Sequence, residues 1–547
     1  MTTKVVSPPQ GTRNPVIAAV IALALGCVAL WLRLPGFDGR AFWIDELWRV
    51  TLFLDSTPVQ TYLFKPDSMT AITSPLYLAL LKAITQFSVS PEALRLPSLA
   101  AGVGSAVLAF AAMRRANAGL IVSTLIALVF AANPQFMRYS NELKPYIIEI
   151  LVHLTCLFCW LGFVLSTYPG RSDLIRLFAV LGVAVAFASN VVFILPSYTI
   201  TILWTIRRRP GLWPTFGIGL SLIGLLVITC HLFIWRYANT DAGMMEFWSN
   251  GFRSGSLWEY PAWLGSRLLE MVDATFTLST NYKPSRKYWL IVFFVMVCML
   301  LLRDRRVNDK LLWLTTLFGG VFLVTLAALN GLGFWPLGAL RPNLFAYALI
   351  AAGMGLVLAC FDRIPLLRVL YGLGLVFALL GVANTNTDVL RFYSSPIEEH
   401  DKVWEDFRAD TPAGRKILTA CEHGIPVTVL ETSSMRWARV FHKRQDAMEL
   451  RPPSALVGSC VKFIHVTDGP AALMQAIEKL KLAANGRTQE IWLLYSFVAR
   501  EGAAALRESA AKLGPIDFSA EYDHAGYFRI GESPGPASLI RTLPESS

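Results

Sequence analysis

The chain has 547 residues, of which 54% are apolar and 16% are charged. A soluble domain carries about 25% charged residues, so this composition excludes a single soluble fold. The 49 Lys and Arg residues exceed the 38 Asp and Glu residues by 11. In a chain this apolar, the basic excess indicates topology signals beside a membrane and not a nucleic-acid partner.

Long apolar segments run through the first part of the chain. About 17–25 apolar residues cross a hydrocarbon core about 30 Å thick. Segments of this kind are found at 15–32, 96–113, 119–136, 146–167, 211–235, 288–302, 311–329, 343–360 and 367–384. The apolar run 174–206, with Ser189 and Asn190 at its middle, is too long for one tilted helix and predicts two short ones. The sequence therefore predicts about eleven transmembrane helices.

Basic residues indicate how these helices are oriented. Arginines collect at alternate ends of the predicted spans, at 114–115, 171 and 176, 207–209, 303–306, and 363 and 368. Short cytoplasmic loops collect Lys and Arg, so all five groups are predicted to be cytoplasmic, with the N-terminus inside. The first apolar run lacks a small-residue cleavage site and is predicted to be a retained helix.

Three loops then lie outside the membrane, at 35–95, 133–145 and 237–287. Within the first loop, the short apolar run 74–87 contains Lys82 and predicts an interfacial or re-entrant helix. The loop 237–287 is predicted to form interfacial helices over the outer cavity, where it could act as a lid.

The composition changes after residue 384, and residues 385–547 are predicted to form a soluble α/β domain outside the membrane. Strand-like segments read ILTA, VTVLET, VKFIHV, EIWLLYSFV and AGYFRI, and two helical segments lie between them. Residues 1–384 form the predicted membrane module. Cys421 and Cys460 would face an oxidising compartment, so a disulfide and two free thiols both stay open.

Ionisable groups at a membrane edge are costly, so clusters of them require an explanation. The outer loops contain three: FWIDELWR at 42–49, RYSNELKPY at 138–146 and GFWPLGALRP at 333–342. A structural alternative exists for most of these residues, because Trp43 could anchor a span and outer cations could reach for lipid headgroups. The adjacent acids Asp45 and Glu46 have the weakest such explanation, since they repel one another.

An acid pair and several cations facing one outer cavity suit sugar transfer from a lipid phosphate. Cations stabilise the leaving phosphate as its charge develops, and a carboxylate takes the proton of the attacking hydroxyl. Nucleotides are scarce outside the cytoplasm, so the donor would be lipid-linked.

These motifs resemble the glycosyltransferase C superfamily. The branch is that of the protein O-mannosyltransferases and the bacterial transferases that put aminoarabinose on lipid A. The resemblance covers roughly residues 15–390 and rests on the segments WIDE (43–46), SPLY (74–77), EALRLPS (92–98) and RY (138–139) with Glu142. It implies an inverting enzyme that transfers a sugar from a polyprenyl phosphate to a glycan, lipid or protein hydroxyl of the cell envelope. The resemblance also implies a bacterial inner-membrane location, with the 385–547 domain in the periplasm.

The resemblance implies a role for each matching residue. Asp45 matches the catalytic base, and Glu46 shapes the acceptor site beside it. The residues expected at the donor phosphate are Arg138, Lys144, Arg341 and Arg95. Further residues expected in the cavity are Glu142, Tyr139, Tyr146, Lys82 and Trp43. No cofactor is required, although Asp45, Glu46 and Glu142 could hold one divalent ion.

The sequence departs from the family pattern in ways that leave the acceptor open. Close relatives of the mannosyltransferases carry an Asp soon after the Arg-Tyr pair, where this chain has Glu142. The predicted spans are also fewer than those of the aminoarabinose enzymes, and the α/β tail is not typical of them. The acceptor therefore need not be lipid A.

Two other functions are compatible with many spans. A transporter or lipid flippase would also have buried charges. Against it, the span interiors contain almost no ionisable residues and no repeated halves are visible. A scaffold whose tail binds a partner is the third alternative.

Overall fold

The computed structural model describes most of the chain before residue 395 and short segments after it. The described residues are 15–37, 42, 46, 50, 74–232, 248–252, 258–277, 309–394, 427–431, 461–465, 490–496, 504, 507–508, 510–511, 516–521, 525–530 and 539–542. The chain divides into two compact units. Unit 1 contains 1–38, 59–80 and 95–394, and unit 2 contains 39–58, 81–94 and 395–547.

The residues described before position 395 are mainly helical. In chain order the helices are α1 (Pro15–Arg33), α2 (Pro75–Ile84), α3 (Pro91–Arg115), α4 (Leu120–Ala132), α5 (Pro134–Ser140), α6 (Tyr146–Leu165), α7 (Arg171–Phe187), α8 (Leu195–Ile206), α9 (Trp213–Cys230), α10 (Tyr260–Phe276), α11 (Asp309–Gly331), α12 (Leu344–Phe361) and α13 (Pro365–Ser394).

Six of the described helices are long and apolar enough to cross a membrane: α1, α3, α6, α9, α11 and α12. The bent pair α4–α5 would make a seventh, while α2, α8 and the first part of α13 are apolar but shorter. The prediction of a membrane protein is therefore supported, whereas the predicted count of eleven spans is not confirmed. The predicted span 288–302 lies outside the described residues.

α6 and α12 form the centre of the helical unit. About two-thirds of the apolar window of α6 (67%) and 78% of that of α12 are buried, against 17% in α1 and in α9. His153 of α6 stacks on Phe345 of α12, with ring centroids 5.4 Å apart. α1 and α9 therefore present most of their apolar side chains to surrounding lipid, which is the lower-energy solvent for them.

The predicted span 119–136 is not one straight helix, because the chain bends by 55° between α4 and α5. Asn133 lies at the bend, and its side-chain oxygen accepts hydrogen bonds from the backbone N–H groups of Gln135 (2.9 Å) and Phe136 (3.2 Å). Pro134 follows at the first helical position, where its missing N–H costs nothing. This N-cap starts a new helix in a new direction.

The run 174–206 contains two helices, α7 and α8, joined by a 3₁₀ turn at Ser189–Phe193. Asn190 of this turn is buried, donates to Glu149 of α6 at 2.8 Å and contacts His153 Nε2 at 2.9 Å. The expectation that span interiors contain almost no ionisable residues is wrong for α6. Glu149 and His153 are one helical turn apart, and Asn190 bridges them, which lowers the cost of burying both.

The connection after α12 packs on the start of α4. The Asp362 carboxylate accepts a hydrogen bond from the Gly119 N–H at 2.8 Å, so it caps the N-terminus of α4. Gly119 is required for this approach, because a Cβ there would lie 2.5 Å from the Asp362 Oδ2. Burial raises the pKa of the Asp362 carboxyl, while Arg368, the Gly119 N–H and Arg114 oppose the shift.

We expect Asp362 to make stability depend on pH. A raised pKa means that the folded protein keeps a proton that the unfolded chain releases, so this stabilisation is fully present below the ordinary carboxyl pKa of about 4. It is lost as the pH rises through the raised pKa. The stability of the wild type relative to Asp362→Asn should therefore fall as the pH rises from about 4 towards neutrality. Thermal unfolding in detergent measures this, and a difference that does not change with pH would contradict it.

The strands described after residue 426 form one six-stranded sheet in the order β2-β1-β3-β5-β4-β6. Their bounds are β1 Val427–Glu431, β2 Val461–His465, β3 Glu490–Ser496, β4 Ile516–Glu521, β5 Ala525–Ile530 and β6 Leu539–Thr542. Neighbouring strands are antiparallel in the pairs β3–β5 and β5–β4 and parallel in the others.

The third strand lies at the centre of this sheet. Its residues 491–495 are all buried, so both of its faces are covered. Four of the strands lie where the sequence predicts strands, whereas β4 and β6 were not predicted. The predicted strand ILTA, Cys421 and Cys460 lie outside the described residues.

Candidate functional site

The second outer cluster, at 138–146, follows the bend and spans the short helix α5, its connecting loop and the first residue of α6. The Asn133 side chain, which caps α5 through its oxygen, uses its nitrogen to donate to the carbonyls of Ala274 (2.8 Å) and Thr275 (2.9 Å). These carbonyls lie at the C-terminal end of α10. One buried amide therefore fixes both the direction of α5 and its position against α10.

Arg33, the last residue of α1, contacts both α5 and the end of α4. It is fully buried and donates from Nη1 to the Ala131 carbonyl (2.7 Å) and from Nη2 to the Phe130 carbonyl (3.0 Å), the last carbonyls of α4. Its Nε donates to Ser140 Oγ at 2.9 Å. A cation at a helix C-terminus is favoured by the helix dipole and by the unsatisfied carbonyls there.

Arg138 and Glu142 form an ion pair one helical turn apart, with Arg138 Nε 2.8 Å from Glu142 Oε1. The Glu142 side chain is fully buried, whereas the Arg138 side chain keeps 30% of its surface exposed. No described group hydrogen-bonds the second carboxylate oxygen of Glu142. Glu142 thus fixes the position of the partly exposed Arg138 guanidinium through a charge-assisted hydrogen bond.

Tyr139 packs beside Arg138, one of the four cations predicted at the donor phosphate. Its ring packs edge-on against Tyr146, with centroids 5.1 Å apart, and the Arg138 guanidinium lies 5.7 Å from its centroid. The charges of Glu142, Arg138 and Arg341 all act on its hydroxyl. Arg341, about 200 residues further along the chain, therefore lies within electrostatic range of the Arg-Tyr motif, with the weakest effect on Tyr139 of these charges.

Lys144 and Arg95 are more deeply placed than the sequence suggested. Lys144 is 5% exposed and its Nζ lies 6.0 Å from the Tyr146 ring centroid, while Arg95 is fully buried on α3. Ser98, one turn after Arg95, is within 3.5 Å of the Lys144 carbonyl. α3 and the 141–145 loop are therefore in contact beside the cluster.

The turn before α12, which positions Arg341, is held by hydrogen bonds of the Asn343 side chain. Asn343 donates to the carbonyls of Pro336 (3.0 Å) and Gly338 (3.1 Å), and its oxygen accepts from the Trp335 indole N–H at 2.9 Å. Gly338 has a φ of +119°, which L side chains rarely adopt. The Gly-Ala-Leu-Arg sequence can therefore turn sharply and present Arg341 at the surface of the cluster.

A segment of the long outer loop, Trp248–Phe252, docks on this turn. The Leu337 N–H donates to the Gly251 carbonyl at 2.7 Å, and Asn330 donates to the same carbonyl at 2.9 Å. The docking brings the Trp248 ring to 5.3 Å from the Arg341 guanidinium, within cation–π range. Trp248 thus gives the cluster an aromatic face beside a cation.

A second ion pair lies at the edge of the same turn, on α10. Arg267 Nη1 donates to both carboxylate oxygens of Glu270, at 3.0 Å and 2.9 Å, and the guanidinium lies 5.5 Å from the Trp263 ring centroid. A Cβ at Gly338 would meet Glu270 Oε2 at 3.1 Å. α10 and the Gly338 turn are therefore in direct contact.

The first outer cluster is described only in part. Asp45 and Trp43 lie outside the described residues, while Glu46 is fully buried and Lys82 is half-buried, both in unit 2. Among the described residues, no three His, Cys, Asp or Glu side chains are grouped as metal ligands would be. The roles of Asp45, Glu46 and the divalent ion stay predictions.

Sequence reasoning missed several residues that build the site. In the sequence, Arg33 follows the first predicted span and Asn133 begins a predicted loop. The neighbouring residues give no indication of the distant partners of either side chain. The helix N-cap pattern Asn-Pro at 133–134 could have revealed the bend. The spacing of Arg267 and Glu270, three residues apart, could have revealed the ion pair.

The fold and this cluster define an α-helical membrane protein with arginines beside aromatic rings at the ends of its helices. No protein-family model matches the sequence, and no curated protein matches it. Among solved structures, ArnT from Cupriavidus metallidurans in the apo state aligns with a TM-score of 0.50 at 13% identity, covering 94% of this chain and 97% of ArnT. The similarity to ArnT confirms the expected glycosyltransferase C fold.

Other solved structures align less well. The same ArnT bound to undecaprenyl phosphate gives a TM-score of 0.47 at 13% identity, over 94% of this chain and 97% of ArnT. AglB, the oligosaccharyltransferase of Archaeoglobus fulgidus, in complex with an inhibitory peptide and a dolichol-phosphate gives 0.41 at 13% identity, over 95% of this chain and 75% of AglB.

Proposed function

We propose that this chain is a membrane glycosyltransferase that moves a sugar from a polyprenyl-phosphate donor to a hydroxyl acceptor on the extracytoplasmic side. The observation that supports the proposal is the Arg138 guanidinium, held by the buried Glu142 carboxylate beside Tyr139, on a chain with the fold of ArnT. The sequence motifs add the lipid-linked donor, because the superfamily that they resemble uses polyprenyl-phosphate sugars.

The reaction explains why two cations are needed. The acceptor oxygen attacks the anomeric carbon, and the bond from that carbon to the phosphate oxygen breaks. The electron pair leaves with the phosphate, so the lipid phosphate gains one negative charge. Arg138 and Arg341 would stabilise that charge, and preorganised donors of this kind lower the barrier because they need no rearrangement. Phosphate is a good leaving group, so the proposal needs no cofactor.

Glu142 and Trp248 prepare the two arginines for this role. The carboxylate of Glu142 accepts a hydrogen bond from Arg138 Nε and so fixes the position of the guanidinium, which would bind the phosphate. Trp248 faces the Arg341 guanidinium at 5.3 Å, where it orients the cation without neutralising it. A planar guanidinium fork fits phosphate oxygens better than an ammonium does.

The acceptor hydroxyl must lose a proton, and we assign its removal to Asp45, with Glu46 beside it at the acceptor. The assignment rests on the Trp-Ile-Asp-Glu motif and on the need for a general base. Attack from the side opposite the phosphate inverts the anomeric configuration. Lys144 and Arg95 would add positive charge behind the phosphate, with Tyr146 and Lys82 further residues of the cavity.

The sugar would be a hexose or a pentose, and the acceptor a glycan, lipid or protein of the cell envelope, such as lipopolysaccharide. The proposed location is a bacterial inner membrane, with the 385–547 domain in the periplasm. These assignments follow from the resemblance and from the positive-inside pattern of the arginines.

Arg341→Gln should lower kcat/KM for transfer about 100-fold, the size of effect seen when one preorganised donor to a developing charge is lost. The assay uses the full-length protein in lipid nanodiscs with a polyprenyl-phosphate sugar, and mass spectrometry follows the glycosylated acceptor. The matched control is Arg208→Gln, which changes an exposed arginine after α8. Equal activity of the two variants would contradict the assignment of Arg341, and lipid movement without sugar transfer would favour a flippase.

A further inference from the structure

A cleft runs between α7 and α9, far from the candidate site. Its volume is about 380 Å³, and its lining includes Arg171, Phe178, Gly182, Thr215 and Gly219 together with Ile and Leu side chains. α6 runs from the candidate site at Tyr146 to Leu165, and α7 begins six residues later. Since α6 has 20 residues and rises about 1.5 Å per residue, Arg171 lies about 30 Å from the site along the helix axis.

Two glycines create the cleft. Gly219 lets α7 and α9 approach closely, because a Cβ there would lie 2.5 Å from Phe178 Cγ. Gly182 has the opposite surroundings, because a Cβ there would meet no atom within 4 Å. One glycine therefore sets the contact between the helices, and the other leaves the space beside that contact open.

The cleft has the length of one membrane leaflet. Its lining on α7 runs from Arg171 to Gly182, and on α9 from Thr215 to Leu226. Both stretches correspond to about 16 Å at 1.5 Å per residue, close to half of the hydrocarbon core of about 30 Å. An extended acyl chain confined to one leaflet needs this length.

The cleft also has one charged end. Among the described residues that line the cleft, Arg171 is the only charged one, and it lies in the first turn of α7, where Asp173 outside the lining caps the helix through the Gly170 N–H. Arg209 lies close by, because its guanidinium donates to the carbonyls of Thr167 (2.8 Å) and Pro169 (3.2 Å), just before α7 begins. Basic pockets between membrane helices attract anionic headgroups.

We propose that this cleft binds an anionic phospholipid of the leaflet opposite the candidate site. One acyl chain lies against Gly182 and Gly219, and the headgroup phosphate lies at Arg171 at the start of α7. The charge at one end and the apolar length behind it match the two parts of such a lipid. This site is independent of the proposed transferase reaction.

Native mass spectrometry of the delipidated full-length protein tests the headgroup. The probes are phosphatidylglycerol and phosphatidylcholine with identical acyl chains, added in equal amounts. The wild type should prefer phosphatidylglycerol about fivefold, because its headgroup keeps a net negative charge beside Arg171 whereas the choline cation neutralises phosphatidylcholine, and Arg171→Gln should abolish the preference. Arg176→Gln is the matched control, because Arg176 is exposed on the same helix and does not line the cleft.

A second pair of variants tests the acyl chain. Gly182→Leu fills the cleft without meeting a neighbour and should reduce binding of both lipids. Gly217→Leu places the same side chain at an exposed, open position of α9 that does not line the cleft, so binding should be kept. Equal lipid binding by Arg171→Gln and Arg176→Gln, or by the two leucine variants, would overturn the proposal. An Arg171-dependent preference for undecaprenyl phosphate over phosphatidylglycerol would also overturn it.

Discussion

Asp45→Asn should reduce the rate of sugar transfer about 1000-fold, because the asparagine amide cannot accept the proton of the acceptor hydroxyl. Asparagine has nearly the same size as aspartate, so binding of the polyprenyl-phosphate donor should change little. A loss in kcat with an unchanged donor KM would identify an interaction made in the transition state alone. Single-turnover transfer to the acceptor, followed by mass spectrometry, gives both values.

The control for this experiment is Asp55→Asn, which changes the next aspartate of the same predicted outer loop. It should transfer at the wild-type rate. Both variants should elute from size exclusion as the wild type does and unfold at the same temperature, so that lost activity is not lost folding. Full activity of Asp45→Asn, or an equal loss in both variants, would rule out Asp45 as the base.

Arg33→Leu is expected to cost about 3 kcal/mol of stability, because it leaves the Phe130 and Ala131 carbonyls buried without their donors. Ser140→Ala removes one acceptor of Arg33 and the hydrogen bond from Ser140 Oγ to the Phe136 carbonyl but keeps the donors of the α4 carbonyls, and it should cost about 1–2 kcal/mol. Thermal unfolding in detergent, read as loss of the monodisperse peak after heating, should rank the wild type, Ser140→Ala and Arg33→Leu in that order.

Two glycines of α3 separate packing around Arg33 from a general effect on the helix. A Cβ at Gly102 would overlap the Ser140 side chain and lie 2.7 Å from Arg33 Nε, so Gly102→Ala should be strongly destabilising. A Cβ at Gly104, half a turn further, would only touch Leu151 at 3.4 Å. Gly104→Ala should therefore be close to the wild type, and similar unfolding temperatures for the two alanine variants would contradict this account of Arg33.

The sequence predicts a membrane protein well, because apolar length is a local property that burial in lipid requires. The bounds of α6, α11 and α12 lie within a few residues of the predicted spans for this reason. The outer ends of the helices are also predictable in part. The sequence predicts a local motif that contains Arg138, Tyr139, Glu142 and Tyr146. Residues of a local motif stay close together when the chain folds.

The rest of the site depends on contacts that no local pattern contains. The position of Arg341 depends on the turn that Asn343 and Gly338 shape, and Trp248 reaches Arg341 because Gly251 docks on that turn. The sequence does not indicate that Glu149 and His153 are buried, because burying two ionisable groups requires a hydrogen-bond partner. That partner, Asn190, lies in the distant turn between α7 and α8. Such polar contacts are specified by the whole fold.

The partners of Arg33 also impose an order in time on the making of the protein. The Phe130 and Ala131 carbonyls lie 97 and 98 residues further along the chain, so they leave the ribosome well after α1 has done so. Until α4 packs, the guanidinium is a charge at the end of an apolar helix with most of its final acceptors missing, and it is held near the headgroups. We therefore expect α1 to reach its final depth in the membrane only after α4 has packed against it.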